Sequence, residues 1–109
     1  MDSNKKGRNL IQKLPRPTAT ATVQIDNEVV RLTEYYFLPE AETKFHKHKW
    51  DYIVTPMTDG DLMLVDSLGV ETFATLTQGK SYYREAGVEH NVINVGKLDL
   101  VFIEIEIKK

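Results

Sequence analysis

The sequence contains no cysteine, which excludes disulfide bridges, thiolate catalysis and every zinc or iron–sulfur site built on cysteine. No apolar run approaches the roughly 20 residues that a membrane-spanning helix needs, so no membrane span is expected. The first residues are charged and lack an apolar h-region, so we expect no secretory signal and a cytoplasmic location. The chain also lacks a phosphate-cradling glycine loop and a convincing nucleophilic triad.

A chain of 109 residues with 41% hydrophobic residues is long and apolar enough for one compact domain. Its net charge of −2 hides an asymmetry, because residues 1–17 are basic and residues 18–109 are acidic. A basic arm can tether nucleic acid or a membrane, but without interleaved aromatic residues it is more typical of a solvated terminus. An acidic body repels phosphate backbones, so we expect neither nucleic acid nor a membrane as a partner.

From Ala21 onward, polar and apolar residues alternate with a period of two, which is typical of half-buried strands. Turn residues separate eight or nine such runs, so the pattern predicts an all-β sandwich or barrel with less than about a tenth of its residues in helix. Helical spacing occurs only at Leu10, Ile11 and Leu14, where barely two turns fit. We therefore predict an irregular N-terminal arm over residues 1–20 and a β-barrel domain over residues 21–109.

Two strands are apolar in ways that carry further predictions. The last strand is the clearest amphipathic one, with Val101, Ile103, Ile105 and Ile107 on one face. The segment from Val29 to Leu38 is apolar on both faces at its end, and such a strand is normally covered on both. We predict that Tyr35 and Phe37 point outward and that a second copy of the chain covers them, giving a homodimer.

The chain has three histidines, and their spacing is its most informative feature. His46 and His48 are two residues apart on a predicted strand, so both imidazoles project from the same face. His90 lies on another predicted strand 42 residues later. Neutral imidazoles that converge inside a small barrel would lose water from their ring nitrogens unless an ion uses the lone pairs.

The segment around His90 resembles the second motif of the cupin superfamily, which reads G-x5-P-x-G-x2-H-x3-N. Gly79, Gly87, His90 and Asn94 match it at the family spacing, and Glu85 stands where proline is usual. The first cupin motif, G-x5-H-x-H-x3-4-E-x6-G, is matched by His46, His48 and the closing Gly60. It departs at the opening glycine, replaced by Glu40, and at the glutamate, whose places are held by Tyr52 and Ile53.

The resemblance covers roughly residues 30 to 107. Within this stretch the chain is similar to small single-domain, RmlC-like cupins, some of them associated with β-alanine degradation. It implies a double-stranded β-helix (jelly-roll) barrel. It also implies one divalent transition metal, Fe, Mn, Ni or Zn, held by His46, His48 and His90. Asp51, one position before the family glutamate, is expected either as a fourth ligand or as a hydrogen-bond partner of a ligand imidazole.

Several residues near the motifs are candidates for binding a substrate. Strand alternation sends Tyr83 to one face and Arg84 to the other, so the two do not both face a barrel interior. We predict Tyr52 together with Tyr83 or Arg84 in a pocket, where Arg84 would clamp a carboxylate.

Two functions follow from this set of residues. The first is a mononuclear metalloenzyme of a catabolic pathway, of dioxygenase, isomerase or lyase type, acting on a small polar or carboxylate substrate. The second is a non-catalytic binding or sensor protein for a small molecule. The sequence does not choose between them, because the superfamily's fold hosts many unrelated functions.

Overall fold

A computed structural model describes residues 15–109, and the helical spacing at Leu10, Ile11 and Leu14 lies outside them. The described residues form nine strands and no helix, which confirms the predicted all-β fold. They accordingly contain no helix long and apolar enough to cross a membrane. The strands are β1 (Thr20–Asp26), β2 (Val30–Phe37), β3 (His46–Lys47), β4 (Asp51–Pro56), β5 (Gly60–Asp66), β6 (Glu71–Leu76), β7 (Tyr82–Arg84), β8 (Glu89–Asn94) and β9 (Leu100–Ile107).

The strands form two antiparallel sheets of a double-stranded β-helix. One sheet has five strands in the order β1-β2-β9-β4-β7, and the other has four in the order β3-β8-β5-β6. The stretch from Phe45 to Val54 is divided between the sheets, because β3 pairs with β8 while β4 pairs with β7 and β9. Between them the backbone of His48 donates to Val88 and accepts from Gly87, which anchors the crossing.

The strand register of the five-stranded sheet arranges its inward-facing side chains in rows. One row runs Arg31, Glu106, Tyr52, Arg84, and the next runs Thr33, Glu104, Val54, Tyr82. A third row joins Tyr35 to Phe102, and a fourth joins Phe37 to Leu100. The interior of this sheet therefore changes from charged to aromatic along the strands.

The predicted orientation of Tyr35 and Phe37 is wrong. Phe37 is fully buried, and Tyr35 packs on the core with its ring centroid 5.4 Å from that of Phe102. Their neighbours Tyr36 and Leu38 are exposed instead, at 40% and 52%. A run that is apolar on both faces does not indicate which face is inside, and the pairing of β2 with β9 decides it here.

In the last strand, β9, the face that carries the isoleucines points away from the barrel interior. Leu100, Phe102 and Glu104 are buried, whereas Ile103 and Ile105, on the apolar face recognised in the sequence, are only partly buried. Ile105 pairs with Leu32 on one side and with Ile53 on the other. The outer face of the five-stranded sheet therefore carries an apolar row, and the inner face carries a buried glutamate.

The largest fully buried side chains lie at the end of the barrel away from the histidines. Leu100 and Leu62 are each 1% exposed beside the fully buried Phe37. The amide of Asn94 is also fully buried, where it donates to the Leu98 carbonyl at 3.0 Å and accepts from the Gly96 backbone at 3.0 Å. Asn94 is thus a turn residue that closes this end of the barrel, as its place before Gly96 indicates.

Candidate metal centre

Two paired strands of the barrel, β3 and β8, bring the three histidines together. His46 on β3 pairs directly with His90 on β8, and His48 lies just after β3. The His48 Nε2 atom is 3.0 Å from His46 Nε2 and 3.1 Å from His90 Nε2. The convergence predicted from the sequence is therefore present, although His48 itself stands outside the two-residue strand.

Local contacts orient His46 so that its Nε2 atom faces the other two rings. Its Nδ1 atom lies 2.8 Å from the Lys44 carbonyl, which accepts a hydrogen bond only if Nδ1 carries the proton. Nε2 of that neutral tautomer then keeps a free lone pair. Lys44 has a positive φ of 74°, which is uncommon for a residue other than glycine and turns its carbonyl towards the ring.

Burial keeps the other two imidazoles neutral. Desolvation, together with the neighbouring His46 and His90, lowers the pKa of His48 to about 3. Desolvation also lowers the pKa of His90 to about 4, with His46 and Arg84 contributing. Neutral imidazole is the form that binds metal ions, so both rings are ready to coordinate near neutral pH without releasing a proton.

The spacing of the nitrogens fits one shared metal ion. With metal–nitrogen bonds of about 2.1 Å, adjacent octahedral ligands lie about 3.0 Å apart and tetrahedral ligands about 3.4 Å apart. The two distances around His48 match the octahedral spacing. Three imidazoles that share one ion also suit Fe, Ni, Cu and Zn by ligand type. The residues present therefore fit a divalent transition metal.

Asp51, expected as a fourth ligand or a partner of a ligand imidazole, lies elsewhere. Its carboxylate accepts a hydrogen bond from the Tyr83 hydroxyl and another, of 2.7 Å, from the Ala86 backbone. Both bonds lower its pKa, that from Tyr83 more strongly. Asp51 alternates with the inward-facing Tyr52 along β4, so its side chain projects from the outer face. The geometry does not bring it to the histidines.

Glu104 is the carboxylate that the sequence reasoning missed. Its Oε1 atom lies 4.0 Å from Nδ1 of His48, and both side chains are more than nine-tenths buried. Desolvation raises the pKa of Glu104 to about 8, and the charge of Glu106 adds to the shift. The sequence signal for Glu104 is strand alternation: residues 100, 102 and 104 lie on the same face of β9, and Leu100 and Phe102 are apolar and buried.

A cavity of about 110 Å³ opens beside His90 and Glu104. Tyr52 and Arg84 line it as predicted, whereas Tyr83 is outward and 49% exposed; its neighbour Tyr82 lines the cavity in its place. The remaining wall is apolar and consists of Val54, Leu62, Leu64, Ala74, Val88, Val92 and Phe102.

Two contacts shape this cavity, one between Tyr52 and His48 and one between Arg84 and Tyr82. The ring of Tyr52 stacks on His48 with centroids 3.9 Å apart and an interplanar angle of 18°, which restricts rotation of the imidazole. The Arg84 guanidinium lies 4.7 Å from the centre of the Tyr82 ring and donates to the Tyr83 carbonyl. A positive charge is thus held at the edge of a largely apolar cavity, where it can bind an anionic group.

Comparison with known proteins gives two relatives of substantial identity. No protein-family model matches the chain. It is 52% identical to the β-alanine degradation protein BauB of Pseudomonas aeruginosa over 93 residues, 85% of this chain and 97% of BauB. It is also 52% identical to a cupin domain from Bordetella pertussis Tohama I, with a TM-score of 0.84 over 88% of this chain and 99% of that one.

More distant structures share the fold alone. A conserved protein with a double-stranded β-helix domain from Klebsiella pneumoniae has a TM-score of 0.69 at 16% identity, covering 88% of this chain and 82% of that one.

Proposed function

The chain belongs to the cupin family, and from that premise we propose that it is a metal-binding cupin of a catabolic pathway. In this proposal His46, His48 and His90 hold one divalent transition metal. The observation that carries it is the approach of three Nε2 atoms, two of whose separations are 3.0 and 3.1 Å. The proposed ion is Fe, Mn, Ni or Zn.

We further propose that the site is a mononuclear metalloenzyme, of dioxygenase, isomerase or lyase type, for a small polar or carboxylate substrate. A bound ion would supply Lewis-acid chemistry or, in the case of iron, redox chemistry. Arg84 would bind the substrate carboxylate, and the apolar cavity wall would exclude water from the reacting end. The similarity to the β-alanine degradation protein BauB favours a short carboxylate from such a pathway.

A non-catalytic binding or sensor protein is the second candidate, and the cavity's titratable groups favour it. Burial raises the pKa of both Tyr52 and Tyr82. Neither hydroxyl is a ready proton acceptor for a bound substrate. Turnover by the metal-loaded protein would distinguish the enzyme from the sensor, since a sensor binds the same carboxylates without consuming them.

The test of the metal proposal is a calorimetric titration of untagged, chelator-treated protein with Mn(II), Ni(II) and Zn(II), and anaerobically with Fe(II). We expect one ion per chain for the wild type and no measurable binding for His90→Ala. Tyr83→Phe is the matched control, because it alters a side chain on the outer face and should bind like the wild type. Wild-type protein that takes up none of the four ions would refute the site.

We also propose that the chain forms a homodimer. Because Tyr35 and Phe37 face inward, the proposed interface is the outer face of the five-stranded sheet. Leu32, Ile105, Ile53 and Tyr83 form an outer row across four paired strands. Leu32, Ile53 and Ile105 are partly buried and Tyr83 is 49% exposed, and an apolar row that still faces solvent in one chain is typical of a subunit interface. Light scattering should give a dimer for the wild type and a monomer for Ile53→Glu; a monomeric wild type would refute the interface.

The cytoplasmic location likewise stays a prediction.

A further inference from the structure

Glu104 is a buried carboxylate with no role in either cupin motif. It lies on β9, outside the two histidine-bearing segments, and is only 5% exposed. Its Oε1 atom lies 4.0 Å from Nδ1 of His48, and both side chains are more than nine-tenths buried. Burying a carboxyl group costs free energy unless a partner compensates it, and His48 Nδ1 is the ring nitrogen placed to do so.

Resting on the proposed metal site, we propose that Glu104 is a positioning residue: it accepts a hydrogen bond from Nδ1–H of His48 when Nε2 of that ring binds the ion. It thereby supplies, from a different strand, the carboxylate that the first motif lacks. Tyr52 holds one of the two places of the family glutamate and faces inward, but it brings a ring that stacks on His48 and no carboxylate.

The geometry indicates that Glu104 is a hydrogen-bond partner of His48 and not a metal ligand. Any two ligands of one ion at bond lengths of about 2.1 Å lie within about 4.2 Å of each other. The ligand atoms of His46, His48 and His90 form one group within 4.8 Å, whereas Glu104 groups with His48 and Glu106 instead. Glu104 therefore approaches only the middle imidazole, and it does so from the nitrogen that the other two rings do not face.

The chemistry of imidazole makes such a partner effective. When Nε2 binds an ion, the ring proton resides on Nδ1, and a carboxylate acceptor fixes that tautomer and the orientation of the ring. The Lys44 carbonyl does the same for His46 at 2.8 Å. His48 has the Tyr52 ring against its face, so its remaining freedom is rotation within the ring plane, which a hydrogen bond to Glu104 removes.

The experiment compares Co(II) binding by chelator-treated wild type, Glu104→Gln, Glu104→Leu and the matched control Glu34→Gln, whose residue pairs with the outward-facing Ile103. We expect affinity to fall about 10- to 100-fold in Glu104→Leu, less in Glu104→Gln, whose amide oxygen still accepts a hydrogen bond, and not at all in Glu34→Gln. The visible absorption of bound Co(II) should keep the band intensities of the wild type, since no ligand is lost. Thermal unfolding of each metal-free variant verifies folding.

The outcomes separate this inference from the proposed function. Equal affinity in wild type and both Glu104 variants overturns the inference and leaves the three-histidine site standing. A Glu104→Leu spectrum altered as strongly as that of His46→Ala also overturns it, because Glu104 would then be a ligand. Wild-type protein without bound Co(II) refutes the proposed function and this inference together.

Discussion

The two ends of the barrel interior are built by the same strands but hold opposite chemistry. At one end Phe37, Leu62 and Leu100 are at most 1% exposed. At the other, two rows along β9, the ionisable side chains of His48 and Glu104 are each 5% exposed beside the buried Tyr52 and Val54. Apolar burial stabilises the first end, whereas the second holds polar groups whose burial costs free energy unless a ligand uses them. Stability and binding are therefore separated along the barrel by about 14 Å of strand.

The largest effect is expected when the aromatic ring of Phe37 is removed from the apolar end. Phe37→Ala should lower the free energy of unfolding by about 3 to 5 kcal/mol, because it leaves a cavity among fully buried neighbours. Urea unfolding of the metal-free protein measures the loss. The folded variant should still bind one ion per chain, and a folded Phe37→Ala protein without metal binding would show that the ends are not independent.

A smaller effect is expected from adding a methyl group at the same end. A Cβ at Gly60 would overlap the side chain of Leu100, which is only 1% exposed. Gly60→Ala should therefore cost about 1 to 3 kcal/mol of unfolding free energy through overpacking. Gly96→Ala is the control, since its Cβ would meet Asn94 Oδ1 at 3.4 Å and the Asp61 backbone nitrogen at 4.0 Å, both ordinary contact distances. Equal unfolding curves for the two variants would contradict tight packing around Leu100.

The polar end should respond to pH while the apolar end does not. The folded-state pKa of His90 is lowered from 6.5 to about 4, so its contribution to stability is present above pH 6.5 and lost as the pH falls towards 4. The pKa of Glu104 is raised from 4.5 to about 8, so its contribution is present below pH 4.5 and lost as the pH rises through 8.

Urea unfolding of metal-free variants at pH 4, 6 and 8.5 checks both signs. Relative to wild type, His90→Gln should gain stability at pH 4 compared with pH 6, and Glu104→Gln should gain it at pH 8.5 compared with pH 4. The difference between Phe37→Ala and wild type should be constant across this range. A Glu104→Gln difference that does not change with pH would argue against the raised pKa.

The smallest effect is expected at Asp51, on the outer side of the same barrel end. Asp51→Asn removes the charge that accepts hydrogen bonds from Tyr83 and Ala86 but leaves the histidines untouched. Its metal affinity in the calorimetric titration should equal that of the wild type. A loss as large as that of a histidine variant would restore Asp51 to the ligand set.

The sequence predicted the strands and the three histidines because both depend on local spacing. Period-two alternation places strands, and turn residues end them, without reference to the rest of the chain. The cupin motifs fixed His46, His48 and His90 in the same way. Tyr52 was predicted to line the pocket because it lies near the motifs, and Tyr83 and Arg84 were left as alternatives; the cavity is lined by Tyr52 and Arg84.

The errors all concern which face of a strand points inward. Phe37, Tyr83 and Asp51 were each given the wrong side or an undecided one, and Glu104 was passed over as the polar half of an amphipathic strand. Alternation defines two faces but does not label them, and on β9 the face with more isoleucine is the outer one. Pairing between strands distant in sequence decides the question, and a single sequence does not contain that pairing.

The shortest strand of the fold carries part of the candidate site. β3 has two residues, lies at the edge of its sheet and pairs with β8 alone. Short edge segments open locally at lower free energy than the centre of a sheet, so the backbone amides around His46 and His48 should exchange with solvent deuterium early. An ion that binds only the closed form slows that exchange in proportion to its occupancy. Deuterium uptake at β3 is thus a direct gauge of how much of the protein carries metal.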